Sequence, residues 1–85
     1  LPKPTMKVQN DVQDILVSWN VDDVSNVFQW VVYTKYDNDW SYEIVNQNTY
    51  TSKILKNKSG KSLNTIAIKA IDRLGNESDY AAKKI

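Results

Sequence analysis

The chain has 85 residues, 11 basic and 10 acidic, with a formal net charge of +1; this length is typical of one small domain. It contains no cysteine and no histidine, which excludes disulfides, thiol nucleophiles, imidazole bases and zinc sites built from those side chains. Its charges are scattered, and no apolar run approaches the ~20 residues of a membrane span. We therefore expect neither a nucleic-acid partner nor a membrane span.

The entry to the chain is rich in proline. Pro2 and Pro4 each remove a backbone donor and favour an extended backbone. We expect residues 1–4 to be a linker and residues 5–85 to be the folded domain, cut from a longer polypeptide.

Apolar residues alternate with polar ones in short segments separated by turn residues, the pattern of β-strands. The predicted strands, in chain order, are residues 5–9, 15–19, 27–36, 40–45, 49–55, 65–70 and 79–85. The first carries Met6 and Val8 inward, and the last alternates at Tyr80 and Ala82. Residues 20–26 and 57–61 are predicted loops. Strands of this length and spacing predict an all-β fold, an antiparallel β-sandwich of seven strands, three against four.

The longest apolar run, residues 27–36, is rich in β-branched and aromatic side chains, which favour strand over helix. Strict alternation divides it into two faces. One face carries Phe28, Trp30, Val32 and Thr34, and the other carries Val31, Tyr33 and Lys35. We expect Trp19, Phe28 and Trp30 to lie in the core.

The sequence resembles a fibronectin type III domain of the kind found in bacterial extracellular glycoside hydrolases and surface lipoproteins. The similarity covers nearly the whole chain. The matching features are Trp19 of the family's B strand, Trp30-Val31-Val32-Tyr33 of its C strand, Asp39-Trp40 at the start of C′, Thr49-Tyr50-Thr51 and Leu55 of E, the alternating Ile66, Ile68 and Ala70 of F, and the F–G turn Asp72 to Ser78. The resemblance implies the immunoglobulin-like sandwich of that family. It implies little about function, since the fold hosts many roles.

One position departs from the family pattern. The F strand usually opens with a tyrosine whose hydroxyl fixes the corner between strands E and F, and here that position is Asn64. We expect the corner to lack a buried hydroxyl bond, with Leu63 packing as a possible substitute. Residues 56–62 should then be among the most mobile internal segments.

Two acidic patterns resemble sites but are better explained as turns. Asp37-x-Asp39-x-Ser41 has the spacing that opens a calcium loop, yet Tyr42 and Asn48 stand where such a loop needs glycine and glutamate. A hairpin turn is the better prediction. The second pattern consists of loop carboxylates expected at one end of the sandwich, Asp22, Asp23 and Asp72, which have no base or nucleophile beside them. The sequence therefore predicts no catalytic residue, no metal site and no cofactor.

Aromatic side chains that the core does not absorb are the one functional lead. The candidate ligand-binding residues are Tyr33, Tyr36, Trp40 and Tyr42. Exposed aromatic rings in a row can stack on sugars or anchor a protein partner. The alternative is structural, with Trp40 and Tyr42 folding over the edge of the core.

These observations favour a non-catalytic structural or spacer module of a larger secreted or cell-surface bacterial protein, such as a carbohydrate-active enzyme. Its expected partner is a neighbouring domain of the same polypeptide, and a monomer is the expected state. The alternative is a module that binds polysaccharide or protein through the aromatic residues of the C and C′ strands. An independent enzyme is not expected.

Overall fold

The computed structural model describes all residues from 1 to 85 and is all-β. Every regular element is a strand, so no helix in the chain is long and apolar enough to cross a membrane. The strands are β1 (Thr5–Asn10), β2 (Asp14–Asn20), β3 (Gln29–Tyr36), β4 (Asp39–Asn46), β5 (Thr51–Leu55), β6 (Asn57–Lys58), β7 (Lys61–Ile71) and β8 (Ala81–Lys84).

The strands form two antiparallel sheets, as a β-sandwich requires. One sheet has three strands in the order β1-β2-β5, and the other has five, with β4-β3-β7 at its centre and both β6 and β8 paired with β7. The sequence predicted seven strands, and the structure divides the chain into eight. The difference is β6, a two-residue strand inside the predicted loop 57–61. There Ser59 and Gly60, at φ 51° and 77°, form the tight turn that reverses the chain into β7.

The core lies between the sheets and follows the alternation seen in the sequence. Ile15, Val17 and Trp19 of β2 are buried against Ile66, Ile68 and Ala70 of β7 in one cluster of 13 residues. Trp30 is fully buried, and its ring centroid lies 6.4 Å from that of Trp19. The expected core positions of Trp19 and Trp30 are confirmed.

The expected core position of Phe28 is wrong. Its side chain is 37% exposed, and the Arg73 guanidinium lies 4.8 Å from the centre of its ring. The alternation fails because β3 begins only at Gln29. Before that point the loop backbone turns Val27 inward, leaving it 5% exposed.

The prediction for the corner between β5 and β7 is also wrong in its premise. Tyr36, at the end of β3, donates a hydrogen bond of 2.7 Å from its hydroxyl to the carbonyl oxygen of Leu55. Tyr36 is buried, so a tyrosine hydroxyl from a different strand ties the end of β5 to the other sheet. Leu63 packs into the core beside it, as expected. Asn64 instead donates its side-chain amide to the Asp37 carbonyl, at the bulge where β7 changes register against β3.

Candidate functional site

The outward surface of the five-stranded sheet carries most of the aromatic side chains that the core excludes. Because strand residues alternate between faces, the register fixes which residues share this surface. Tyr33 pairs with Tyr42 on one side and with Ala67 on the other, and Ala67 pairs with Ala82. We call this surface the outer aromatic face. Its members are Val31, Tyr33, Lys35, Trp40, Tyr42, Ile44, Thr65, Ala67, Lys69, Ala82, Lys84 and, just before β8, Tyr80.

Several large side chains of this face are open to solvent. Trp40 is 53% exposed, Tyr42 68%, Ile44 52% and Tyr80 52%. Trp40 and Tyr42 therefore do not fold over the edge of the core. Large apolar and aromatic side chains grouped on one surface are typical of binding sites.

Tyr36, predicted with the others as an aromatic side chain left outside the core, does not belong to this face. It is 8% exposed and belongs to the core between the sheets. Tyr33 and Tyr36 are three residues apart on one strand, and an odd separation places side chains on opposite faces. Tyr33, Trp40 and Tyr42 are brought together on the outer side.

A buried lysine organises one end of the face. Lys69 is 7% exposed, forms an ion pair with Glu77, and lies 5.3 Å from the ring centre of Tyr33 and 5.2 Å from that of Tyr80. The Glu77 carboxylate is the main cause that raises the pKa of the Lys69 ammonium above its usual value, and the Tyr33 hydroxyl adds to it. Tyr33 and Tyr80 also pack edge to face, with ring centroids 5.3 Å apart. This cluster fixes the segment before β8 onto the sheet.

The face contains a shallow apolar groove of about 460 Å³, lined by Tyr33, Trp40, Ala67, Tyr80 and Ala82. Lys35 lies at its edge, with its ammonium nitrogen 5.6 Å from the centre of the Trp40 ring. Sequence reasoning missed Ile44, Lys69, Tyr80 and the two alanines. The sequence did contain a signal for Ile44, since it follows Trp40 and Tyr42 at the same two-residue spacing along one predicted strand. Tyr80 was already part of the last predicted strand.

The loop carboxylates accept hydrogen bonds from nearby residues of their own turns. Asp72 accepts hydrogen bonds from the backbone N–H groups of Leu74 and Asn76, at 2.9 and 2.8 Å, and from the Asn76 side-chain amide at 3.0 Å. The Asn76 side chain is the main cause that lowers the Asp72 pKa. The pKa of Asp23 is lowered mainly by its hydrogen bond from Ser25. No three carboxylates lie close enough together to hold a metal ion. Asp37 and Asn38 form the predicted hairpin turn between β3 and β4, and Asp39 is the first residue of β4.

Comparison with known proteins supports the fold and leaves function open. No protein-family model matches the chain, and no curated protein matches its sequence. Among solved structures, the chain is similar to pectate lyase PelI from Erwinia chrysanthemi, determined in complex with tetragalacturonic acid. The match has a TM-score of 0.70 and 17% sequence identity, and it covers 95% of this chain but 28% of the pectate lyase. At this identity the likeness concerns the fold alone, shared with a segment of that longer protein.

Proposed function

We propose that this chain is a fibronectin type III-like module that spaces or supports a neighbouring domain in a larger secreted or cell-surface bacterial protein, such as a carbohydrate-active enzyme. The observation that carries the proposal is the strand order. A sheet of β1-β2-β5 faces one in which β4, β3, β7 and β8 are neighbours, the arrangement expected for strands A, B and E against C′, C, F and G. The short β6 is then an addition to the E–F corner.

The structural comparison fits this proposal. In the pectate lyase, the segment similar to this chain makes up 28% of the polypeptide. A sandwich of this size can therefore form one part of a longer carbohydrate-active protein. The same organisation is proposed for the parent of this chain.

The titratable groups support a non-catalytic role. A general acid that works near neutral pH needs a carboxyl pKa raised towards neutrality, and a nucleophilic amine needs a lowered one. Here the shifts run the other way. The pKa values of Asp23 and Asp72 are lowered. Those of Lys61 and Lys69 are raised, mainly by the hydrogen bonds that their ammonium groups donate to Asp39 and Glu77 respectively. All four groups are held in their charged forms.

An activity assay on the purified 85-residue chain tests this role. We expect no product from polygalacturonate, neutral plant polysaccharides, esters or peptides, measured as new reducing ends, unsaturated sugars or free acid. Turnover that disappears in Asp72→Asn and persists in a surface control, Asp22→Asn, would show that the chain is an enzyme.

The outer aromatic face favours a second candidate function, the binding of a polysaccharide or a protein partner. Trp40, at 53% exposure and beside an apolar groove, is the residue best placed to report it. Titration with soluble glycans should change Trp fluorescence and the amide shifts of β3, β4 and β7. Trp40→Ala should abolish the effect. Unchanged spectra at high glycan concentration would refute glycan binding and leave a protein partner as the only remaining form of this second function.

A further inference from the structure

The charged groups of the outer aromatic face have a single sign. Strand register places Lys35, Lys69 and Lys84 on this face, and no acidic residue occupies a face position of β3, β4, β7 or β8. Glu77 reaches Lys69 from the loop between β7 and β8 and pairs with it. Lys35 and Lys84 make no ion pair and are therefore available to a ligand.

These two lysines lie in one row across the sheet. Lys35 pairs with Thr65, and Thr65 pairs with Lys84. Two strand spacings separate the lysine backbones, roughly 10 Å. The next row along the strands contains Tyr42, Tyr33, Ala67 and Ala82. Trp40, the other cross-strand partner of Lys35, belongs to the lysine row. A row with two cations and one indole ring therefore runs beside a row of aromatic rings and small side chains.

Two alanines, Ala67 and Ala82, form the floor of the groove. Ala67 and Ala82 are cross-strand partners, so no side chain extends beyond a methyl group at either position. Tyr33, Tyr80 and Trp40 complete the lining. A flat ring can therefore approach the sheet closely while an aromatic side chain contacts its face.

We propose that the outer aromatic face binds an acidic polysaccharide, a polymer of uronic acid sugars. The apolar C–H faces of the sugar rings stack on Trp40 and Tyr33 over the alanine floor, and carboxylates of the polymer meet the ammonium groups of Lys35 and Lys84. This inference rests on the second candidate function above and specifies its ligand.

The charge count favours this ligand over a nucleic acid. A DNA-binding protein with strongly salt-dependent affinity makes, for example, about 6–10 contacts to phosphates. The face offers two unpaired lysines, and the whole chain carries a net charge of +1. A polymer with one carboxylate per sugar matches an apolar platform with two cations at its side.

Two matched probes test the proposal on the 85-residue chain: an oligogalacturonate and the same oligomer with its carboxyl groups methyl-esterified. We expect the acidic probe to bind about three- to tenfold more tightly, because exposed ion pairs contribute little each. Added salt should remove most of the difference. Amide shifts should be confined to β3, β4, β7 and β8.

Three variants locate the site. Trp40→Ala should abolish binding of both probes. Lys84→Gln should weaken the acidic probe about two- to fivefold and leave the esterified one unchanged. Lys53→Gln is the control, since it removes one positive charge from an exposed position on β5 of the other sheet; it should change neither affinity.

Four other results would each contradict a particular part of this proposal. Equal affinity for both probes would refute the acidic preference while glycan binding stands. Binding of neither probe would refute this inference, and the second candidate function would then need another glycan or a protein partner as its ligand. Tighter binding of a single-stranded oligonucleotide would assign the face to another class of ligand. Equal effects of Lys84→Gln and Lys53→Gln would move the site elsewhere.

Discussion

The hydroxyl of Tyr36 offers the sharpest test of how the two sheets are held together. Its hydrogen bond to the Leu55 carbonyl, 2.7 Å long, joins the end of β3 in one sheet to the end of β5 in the other. Tyr36→Phe keeps the buried ring and removes only the hydroxyl. We expect a loss of about 1 kcal/mol, the usual net contribution of such a bond.

For a domain of this size, that loss lowers Tm by about 4–8 °C. Urea unfolding followed by Trp fluorescence should show a lower midpoint with an unchanged slope. The control is Tyr42→Phe, because Tyr42 is 68% exposed; its effect should stay within about 0.5 kcal/mol.

The pH dependence provides a second measurement of the same contact. Burial raises the pKa of Tyr36 above the ordinary value of 10.0. The unfolded chain therefore releases this proton before the folded chain does, so the contribution to stability is complete below pH 10.0 and falls as pH rises through the folded pKa. The advantage of the natural sequence over Tyr36→Phe should shrink above pH 10.0. Equal urea midpoints for the two phenylalanine variants at neutral pH would refute the inter-sheet role.

Three further changes test other parts of the structure. Trp19→Ala removes a core ring that is 3% exposed and should cost about 3–5 kcal/mol, leaving the domain largely unfolded by near-UV dichroism; near-normal melting would show that the ring is not needed in the core. Gly75→Ala forces a side chain into φ 84° with no steric clash, so we expect thermal melting to show a loss of about 1–2 kcal/mol from backbone conformation alone. Lys69→Met removes the ammonium whose pKa Glu77 raises. That ammonium's stabilising contribution is complete below pH 10.5 and is lost as pH rises through the folded pKa. Above pH 10.5 the urea midpoint of the natural sequence should therefore fall relative to that of the methionine variant. A difference between the two midpoints that does not change with pH would contradict the ion pair.

The sequence alone predicted those strands and turns that depend only on residues close together in the chain. Ile15, Val17 and Trp19 recur at every second residue of a short apolar run, and this period identifies both the strand and its buried face. The turn at Asp37 and Asn38 was equally readable, since such side chains tolerate a positive φ, and Asp37 adopts 53°.

Only the tertiary structure showed how residues behave at the end of a strand or in contact with a distant strand. Phe28 follows the period of β3 yet lies one residue before that strand begins. Its exposure depends on where β3 starts to pair with β7, which local pattern does not record. Tyr36 became the corner residue because its strand brings it near Leu55, a neighbour 19 residues away in sequence.

The candidate site depended on the same non-local information. Tyr33 and Tyr42 could be recognised as aromatics on adjacent predicted strands, but Lys69 and Tyr80 joined them only through the pairing of β7 with its neighbours. A β-strand pattern specifies which residues share a face of their own strand. It does not specify which strand lies beside it or in which register, because those choices depend on contacts between distant segments.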